Sequence, residues 1–208
     1  MIVFLDTEFT ALDAAPLLLS VGIVCGDGPG TDFYVEVTDG ERLRSSSTFA
    51  AKIVLTQFGK VPGAGCPYLE AGARLGAYFA DLAKSLRPGH TIEVAFESDV
   101  DWTLVQRAIE DADASFRQGL SSVLRPMNVY NAPGFAKGEL AARRYFESQR
   151  LAPFGRHHAL CDARALRIAY GAATAPPASP AAPPLSERRQ VADAQTRALT
   201  APTQGREA

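Results

Sequence analysis

The chain has 208 residues, of which 47% are hydrophobic and 21% charged, enough apolar material for one domain of ordinary size with a short appendage. Its formal net charge of −2 argues against a protein that grips nucleic acid by broad phosphate neutralisation, because counterion release favours basic surfaces. Three widely spaced cysteines (Cys25, Cys66, Cys161), with no CxxC or Cys/His zinc spacing, speak against a disulfide framework or a structural zinc and suit a reducing cytoplasm. The opening MIVFLDTEF carries acidic residues at 6 and 8 where a secretory signal would carry basic ones, and no apolar run reaches the roughly 18 residues of a membrane helix.

In chain order, residues 1–5 form an apolar run ending at Asp6, and residues 17–25 (LLLSVGIVC) form a second run of β type, stopped by the turn-rich GDGPG. Residues 32–37 (DFYVEV) alternate as a half-buried third strand does, which predicts an antiparallel meander. Leu75, Phe79, Leu82 and Leu86 recur at spacings of three and four, predicting a helix over 67–86 that Pro88-Gly89 ends. A short strand follows at 91–96 (TIEVAF), then a helical pattern over 101–109, a weaker strand near 123–130, and helices over 139–150 and 162–170. Strands first and alternating elements afterwards predict an α/β fold, a mixed sheet of three antiparallel strands then parallel strands, flanked by helices. The domain is expected to cover 1–171. Residues 172–208 begin Ala/Pro-rich and are too poor in large apolar side chains to offset their ordering entropy, which predicts a disordered tail with a short helix near 187–199.

Three pieces of this pattern carry chemistry. Asp6 and Glu8, at i and i+2 on a strand, point to the same side, so both can reach one cation; taken alone, a solvated strand end is the simpler account. Near the end, HHALCDA places His157 five residues before Asp162, about 140° apart on a continuous helix, so His157 belongs to the loop before the helix and Asp162 to its first turn. Asp162 shares a helix face with Leu166, Ala169 and Tyr170, which aims its carboxylate inward, where an unpaired charge is expensive. Asp101 opens a helix after a strand, a place that helix capping alone also explains. His158 is an alternative to His157.

The order Asp-x-Glu on the first strand (FLDTEFTALD), Asp-x-x-apolar-apolar midway (Asp101 before Leu104 and Val105) and His-x4-Asp at the close (HHALCDARAL) resembles the DnaQ-like DEDDh 3′→5′ exonucleases, over about residues 1–170. The opening with its LLLSVGIV strand is more narrowly similar to exoribonucleases of the oligoribonuclease and ribonuclease T neighbourhood. That family usually carries Asn-x-x-Phe-Asp in the middle motif; this chain has Phe96-Glu97-Ser98-Asp99-Val100-Asp101, so Asp99 and Glu97 remain alternatives to Asp101.

The resemblance implies a ribonuclease H-like fold and a metal-dependent hydrolase that releases nucleoside 5′-monophosphates from a nucleic-acid 3′ end, single-stranded RNA being favoured. It implies two Mg²⁺ or Mn²⁺ ions held by Asp6, Glu8, Asp101 and Asp162, with His157 taking the proton from the attacking water. It also sets Thr10 and Leu12 against the terminal nucleotide. Phe9 and Trp102 are aromatic candidates for base stacking, with core packing as the plainer role for both. Arg143, Arg144, Arg150 and Arg156 lie near the last motif, where they would meet phosphates or simply form a solvated helix face. Homodimers are common among such relatives, although no residue here demands one. Two other readings stay open: a DNA-directed proofreading or repair exonuclease whose tail tethers it to a protein partner, and a nucleic-acid-binding relic that has lost turnover.

Overall fold

A computed structural model describes residues 1–12, 15–26, 31–115, 119–130, 132–149 and 154–176. The expectations of a disordered tail and of a helix near 187–199 lie outside the described residues.

Six strands form one mixed sheet: β1 (Ile2–Phe9), β2 (Leu18–Cys25), β3 (Phe33–Val37), β4 (Gly65–Cys66), β5 (Ile92–Phe96) and β6 (Leu124–Asn128), in the order β4-β3-β2-β1-β5-β6. β1, β2 and β3 pair antiparallel as a meander, while β5 and β6 add in parallel beyond β1. β4, which the sequence reading did not assign, pairs in parallel with β3 at the opposite edge. Pro126 in β6 has no N–H to donate and is tolerated because β6 is an edge strand.

Five α-helices accompany the sheet among the described residues: α1 (Gly40–Arg44), α2 (Tyr68–Ser85), α3 (Asp99–Ala112), α4 (Phe135–Ser148) and α5 (Ala159–Thr174). None is long and apolar enough to cross a membrane. Side chains alternate along β1, so Val3 and Leu5 join Leu75 and Phe79 of α2 and Leu104 and Val105 of α3 in the main core. Phe4, from the other face, packs with Leu166 and Tyr170 of α5. Each fully buried Leu, Ile or Phe in such a core contributes about 1.5–3 kcal/mol.

Several bounds differ from the sequence reading for identifiable reasons. β1 runs on through Asp6, Thr7 and Glu8, because pairing to β2 carries the ladder past the apolar run. α3 begins at Asp99, so Asp101 stands at the third helical position rather than the first. α5 continues past Gly171 to Thr174; Ala172 and Ala173 favour helix, and Pro176 follows its end. Accordingly the compact unit is Met1–Thr174. Cys25, Cys66 and Cys161 are buried free thiols.

Gly22 sets the distance between α5 and the sheet. It pairs with Asp6 across β1 and β2, and a Cβ there would overlap the backbone of Ala159 and Leu160. The first turn of α5 therefore rests directly on β2, one strand from Asp6. Gly22→Ala is expected to destabilise the fold by about 3 kcal/mol or more, since backbone has to move to admit the methyl group. Gly171→Ala, at an exposed helical site with open space around it, should add about 0.5–1 kcal/mol. Guanidinium denaturation midpoints of the two variants, moving in opposite directions, check both.

Candidate active site

The parallel ladder between β1 and β5 is registered only through Phe4 and Ala95. Beyond it the half of β1 that carries Asp6 and Glu8 is flanked by β2 alone, and the chain leaves β5 through Glu97 and Ser98 into α3. The result is a cavity of about 690 Å³, lined by Asp6, Glu8, Glu97, Asp101, His157 and Asp162 among others, of a size typical of ligand pockets. A crevice at the carboxyl ends of strands, where the sheet changes sense, is a recurrent place for binding in α/β folds.

Each carboxylate is held by its own element. Asp6 and Glu8 project from one face of β1, and the register shift between Glu8 and Phe9 turns the strand immediately after them. Asp101 is buried: the Thr7 hydroxyl donates to Oδ1 at 2.7 Å and the Ser98 amide to Oδ2 at 3.2 Å. Ser98 in turn accepts from the Val100 amide at 3.3 Å, which completes a capping box. Asp101 thus caps its helix and faces the cavity, two roles that the sequence reading treated as alternatives. Asp99 is exposed and accepts from the Asn128 amide at 2.9 Å, outside the cavity lining, whereas Glu97 does line the cavity.

At the start of α5, Asp162 Oδ2 accepts from the backbone N–H of His157 at 2.7 Å. His157 sits at φ 63°, the only residue other than glycine with positive φ among those described, at a cost of about 1–2 kcal/mol. One ligand atom from each of Glu8, His157 and Asp162 lies within 4.8 Å of the others. Phe49 meets the His157 ring edge-on at 4.9 Å. His158 points elsewhere: it is 2% exposed, stacked on Tyr34 (4.4 Å) with Phe154 tilted against it (4.2 Å), and burial pushes its pKa down to about 4. That leaves His157 as the imidazole of the cavity.

Burial is the main cause of the electrostatics here. It raises Asp6 well above the ordinary carboxyl range, with repulsion from Asp162, Asp101 and Glu8 adding to it. It carries Glu8 up to about 9, again helped by Asp162, which lies within hydrogen-bonding reach. Burial also lifts Asp162 to about 7 and Asp101 to about 6, against the hydrogen bonds that stabilise their charged forms. Glu97 moves up as well, through burial and then Glu139. His157 moves down, through burial and then the Arg156 guanidinium. Among the described residues none of Asp6, Glu8, Asp101 and Asp162 has an ion pair within 4.0 Å.

Of the other sequence candidates, Phe9 and the 88%-exposed Leu12 line the cavity. Thr10 is buried and turned away: its hydroxyl accepts from the Leu17 amide at 3.1 Å and its carbonyl from the Ser47 amide at 2.8 Å, so it closes the loop between β1 and β2. Trp102 packs against the main core with its ring stacked on Phe96 at 6.3 Å, outside the cavity lining. Arg143 and Arg156 stand on the cavity wall, Arg156 4.9 Å above the Phe146 ring.

The sequence reading missed Ser47, Phe49, Gln57, Glu139 and Phe146. Segment 45–58, a π-helical turn (Ala50–Val54) followed by a 3₁₀ turn (Leu55–Gln57), shows no apolar periodicity of the usual helix or strand kind. Nothing local in the sequence marks Gln57, whose burial is set by the tertiary structure.

No protein-family model matches the chain, and no curated protein matches it.

Because the folded state keeps protons on carboxyl groups that the unfolded chain releases near about pH 4, the contribution of these groups to stability in chelator is greatest at and below about pH 4. It should fall as pH rises through about 6 for Asp101 and about 7 for Asp162 towards about 9 for Glu8. Asp6→Asn, which removes one of the mutually repelling charges, is expected to flatten that decline and raise the unfolding midpoint at pH 8. Urea titrations in EDTA at pH 5.5 and pH 8 measure it; a stability that climbs with pH in the parent chain would contradict this electrostatic picture.

Proposed function

We propose that the chain is a 3′→5′ exonuclease of the DnaQ-like DEDDh kind, built on a ribonuclease H-like fold and acting on single-stranded RNA ends. The observation that carries this reading is the meeting of Asp6, Glu8, Asp101, His157 and Asp162 in one cavity, from elements far apart in sequence. The strand order, with an antiparallel meander extended by parallel strands on the far side of β1, is compatible with that fold.

The donor set fits hard divalent cations. All four acidic groups offer oxygen, they repel one another, and no cationic side chain pairs with them among the described residues. Asp6, Glu8 and Asp162 would hold a pair of Mg²⁺ or Mn²⁺ ions, with Asp101 joining directly or through water. Bound there, the ions supply Lewis acidity to the attacking and leaving oxygens of the phosphodiester.

The remaining roles belong to the chain's own side chains. His157, kept neutral at physiological pH by burial and by Arg156, accepts a proton from water beside Glu8 and Asp162. Phe9, Leu12 and Phe49 give the cavity an apolar flank against which a terminal base can rest, while Arg143 and Arg156 face its phosphates. An acidic protein with two arginines at one wall grips a nucleotide or two rather than a long backbone, in keeping with the net charge of −2.

Oligonucleotides labelled at either end decide the matter. With Mn²⁺, the chain should shorten a single-stranded RNA from its 3′ end, release 5′-mononucleotides, and stop on addition of EDTA. Asp6→Asn and Asp162→Asn should leave no detectable cleavage. His157→Asn, chosen because Asn tolerates left-handed backbone, should slow cleavage by about 10²–10⁴-fold with the unfolding midpoint little changed. Matched DNA cut faster than RNA would redirect the proposal to a DNA substrate, and gel shifts without shortening would replace it with a binding module.

A further inference from the structure

The 3₁₀ turn in the second half of segment 45–58 ends on Gln57. Gln57 is 8% exposed and spends its whole amide on the loop before α5. Its Oε1 accepts from the Gly155 amide at 3.1 Å, and its Nε2 donates to the Arg156 carbonyl at 3.0 Å and the His157 carbonyl at 2.8 Å. These bonds join residues about a hundred positions apart and bracket the one residue held at φ 63°. The segment that presents Gln57 is itself anchored. Ala50 and Val54 pack on the fully buried Leu19 of β2, and the Ser47 amide donates to the Thr10 carbonyl at the end of β1. Phe49, on the same segment, sets its ring against the His157 imidazole. One short stretch of chain is thus fixed to the Asp6–Glu8 strand at its start and to the His157 loop at its end.

We infer that Gln57 is a positioning residue, holding His157 in the left-handed turn that aims its imidazole at the water-accepting place beside Glu8 and Asp162. The inference rests on the nuclease reading for its kinetic consequence, though the clamp itself does not. Gln57 acts through the loop backbone: it does not itself line the cavity or bond any of the four carboxylates, and of the two lining residues whose carbonyls it holds, Arg156 and His157, it is His157 whose left-handed turn it fixes. A glutamate of the same shape keeps the acceptor for Gly155 but replaces the donor with an oxygen facing two carbonyls, so Gln57→Glu breaks the clamp with little change in volume. Gln57→Ala removes it outright.

With 3′-labelled RNA and Mn²⁺, Gln57→Glu should lower kcat about 100-fold, as a displaced catalytic group does, and leave KM within about twofold. In a His157→Asn background the same change should cost nothing further, because a residue that works through His157 has nothing left to position. Proton exchange at the Gly155 amide, read by NMR in the full chain, should quicken in both Gln57 variants. Undiminished kcat in Gln57→Glu, or an equal loss on top of His157→Asn, would overturn the positioning role. If the parent chain shortens no RNA or DNA, the nuclease reading fails by itself, and the exchange rates still judge the clamp: an unchanged Gly155 amide in both variants removes it.

Discussion

Everything in this molecule has to accommodate the gathering of four largely buried carboxyl groups around one cavity. Removing an ion from water costs several kcal/mol even after relaxation, and like charges at close range add to that. The elevated pKa values of Asp6, Glu8, Asp101 and Asp162 express that cost in proton affinity. A fold selected for stability alone would not gather them. The compensation comes from elsewhere, from the apolar core on the α2–α3 face of the sheet and from the close seating of α5 on Gly22. The acidic face of β1 is the reverse side of a strand whose Val3 and Leu5 are fully buried in that core. One strand therefore supplies both the stabilising face and the costly one.

Rigidity is distributed in the same way. Asp101 gives one oxygen to Thr7 and the other to Ser98, so its carboxylate is fixed before any ligand arrives. Asp162 is fixed by the His157 amide, and His157 by Gln57 and Phe49. The left-handed backbone at His157 costs about 1–2 kcal/mol. Hydrogen bonds worth about 0.5–1.5 kcal/mol each, made by Gln57 and Asp162 around it, are enough to hold it there. Glu8 and Asp6 have less support; burial carries Glu8 up to about 9 and Asp6 well above the ordinary carboxyl range. The cavity thus combines preset groups with groups that burial and mutual repulsion keep protonated beyond that range.

The two neighbouring histidines show how sharply position decides chemistry. His157 is half-buried, edge-on to Phe49 and close to two carboxylates; His158 is walled in by Tyr34 and Phe154, with neither ring nitrogen hydrogen-bonded. The first lines the cavity beside Glu8 and Asp162. The second fills space between β3 and the start of α5, and its low pKa keeps it neutral there.

The sequence by itself determined the elements that obey a period. The meander, α2, the strand at β5 and the helix that carries Asp162 follow from alternation and from spacings of three and four, because local geometry forces side chains of that spacing to one face. It also determined that Asp6 and Glu8 share a face and that His157 precedes the helix of Asp162. Only the tertiary structure decided that Asp101, and not Asp99, faces the cavity, since both stand in the same helical turn and differ by the packing of α3 against Thr7. Only it decided that Thr10 and Trp102 face inward, away from the cavity, and that Gln57 reaches the His157 loop. Those contacts join residues up to a hundred positions apart, and no local pattern of hydrophobicity or charge encodes a hydrogen bond across that distance. They exist because one glycine lets a helix lie on the sheet and one short irregular segment packs beside it.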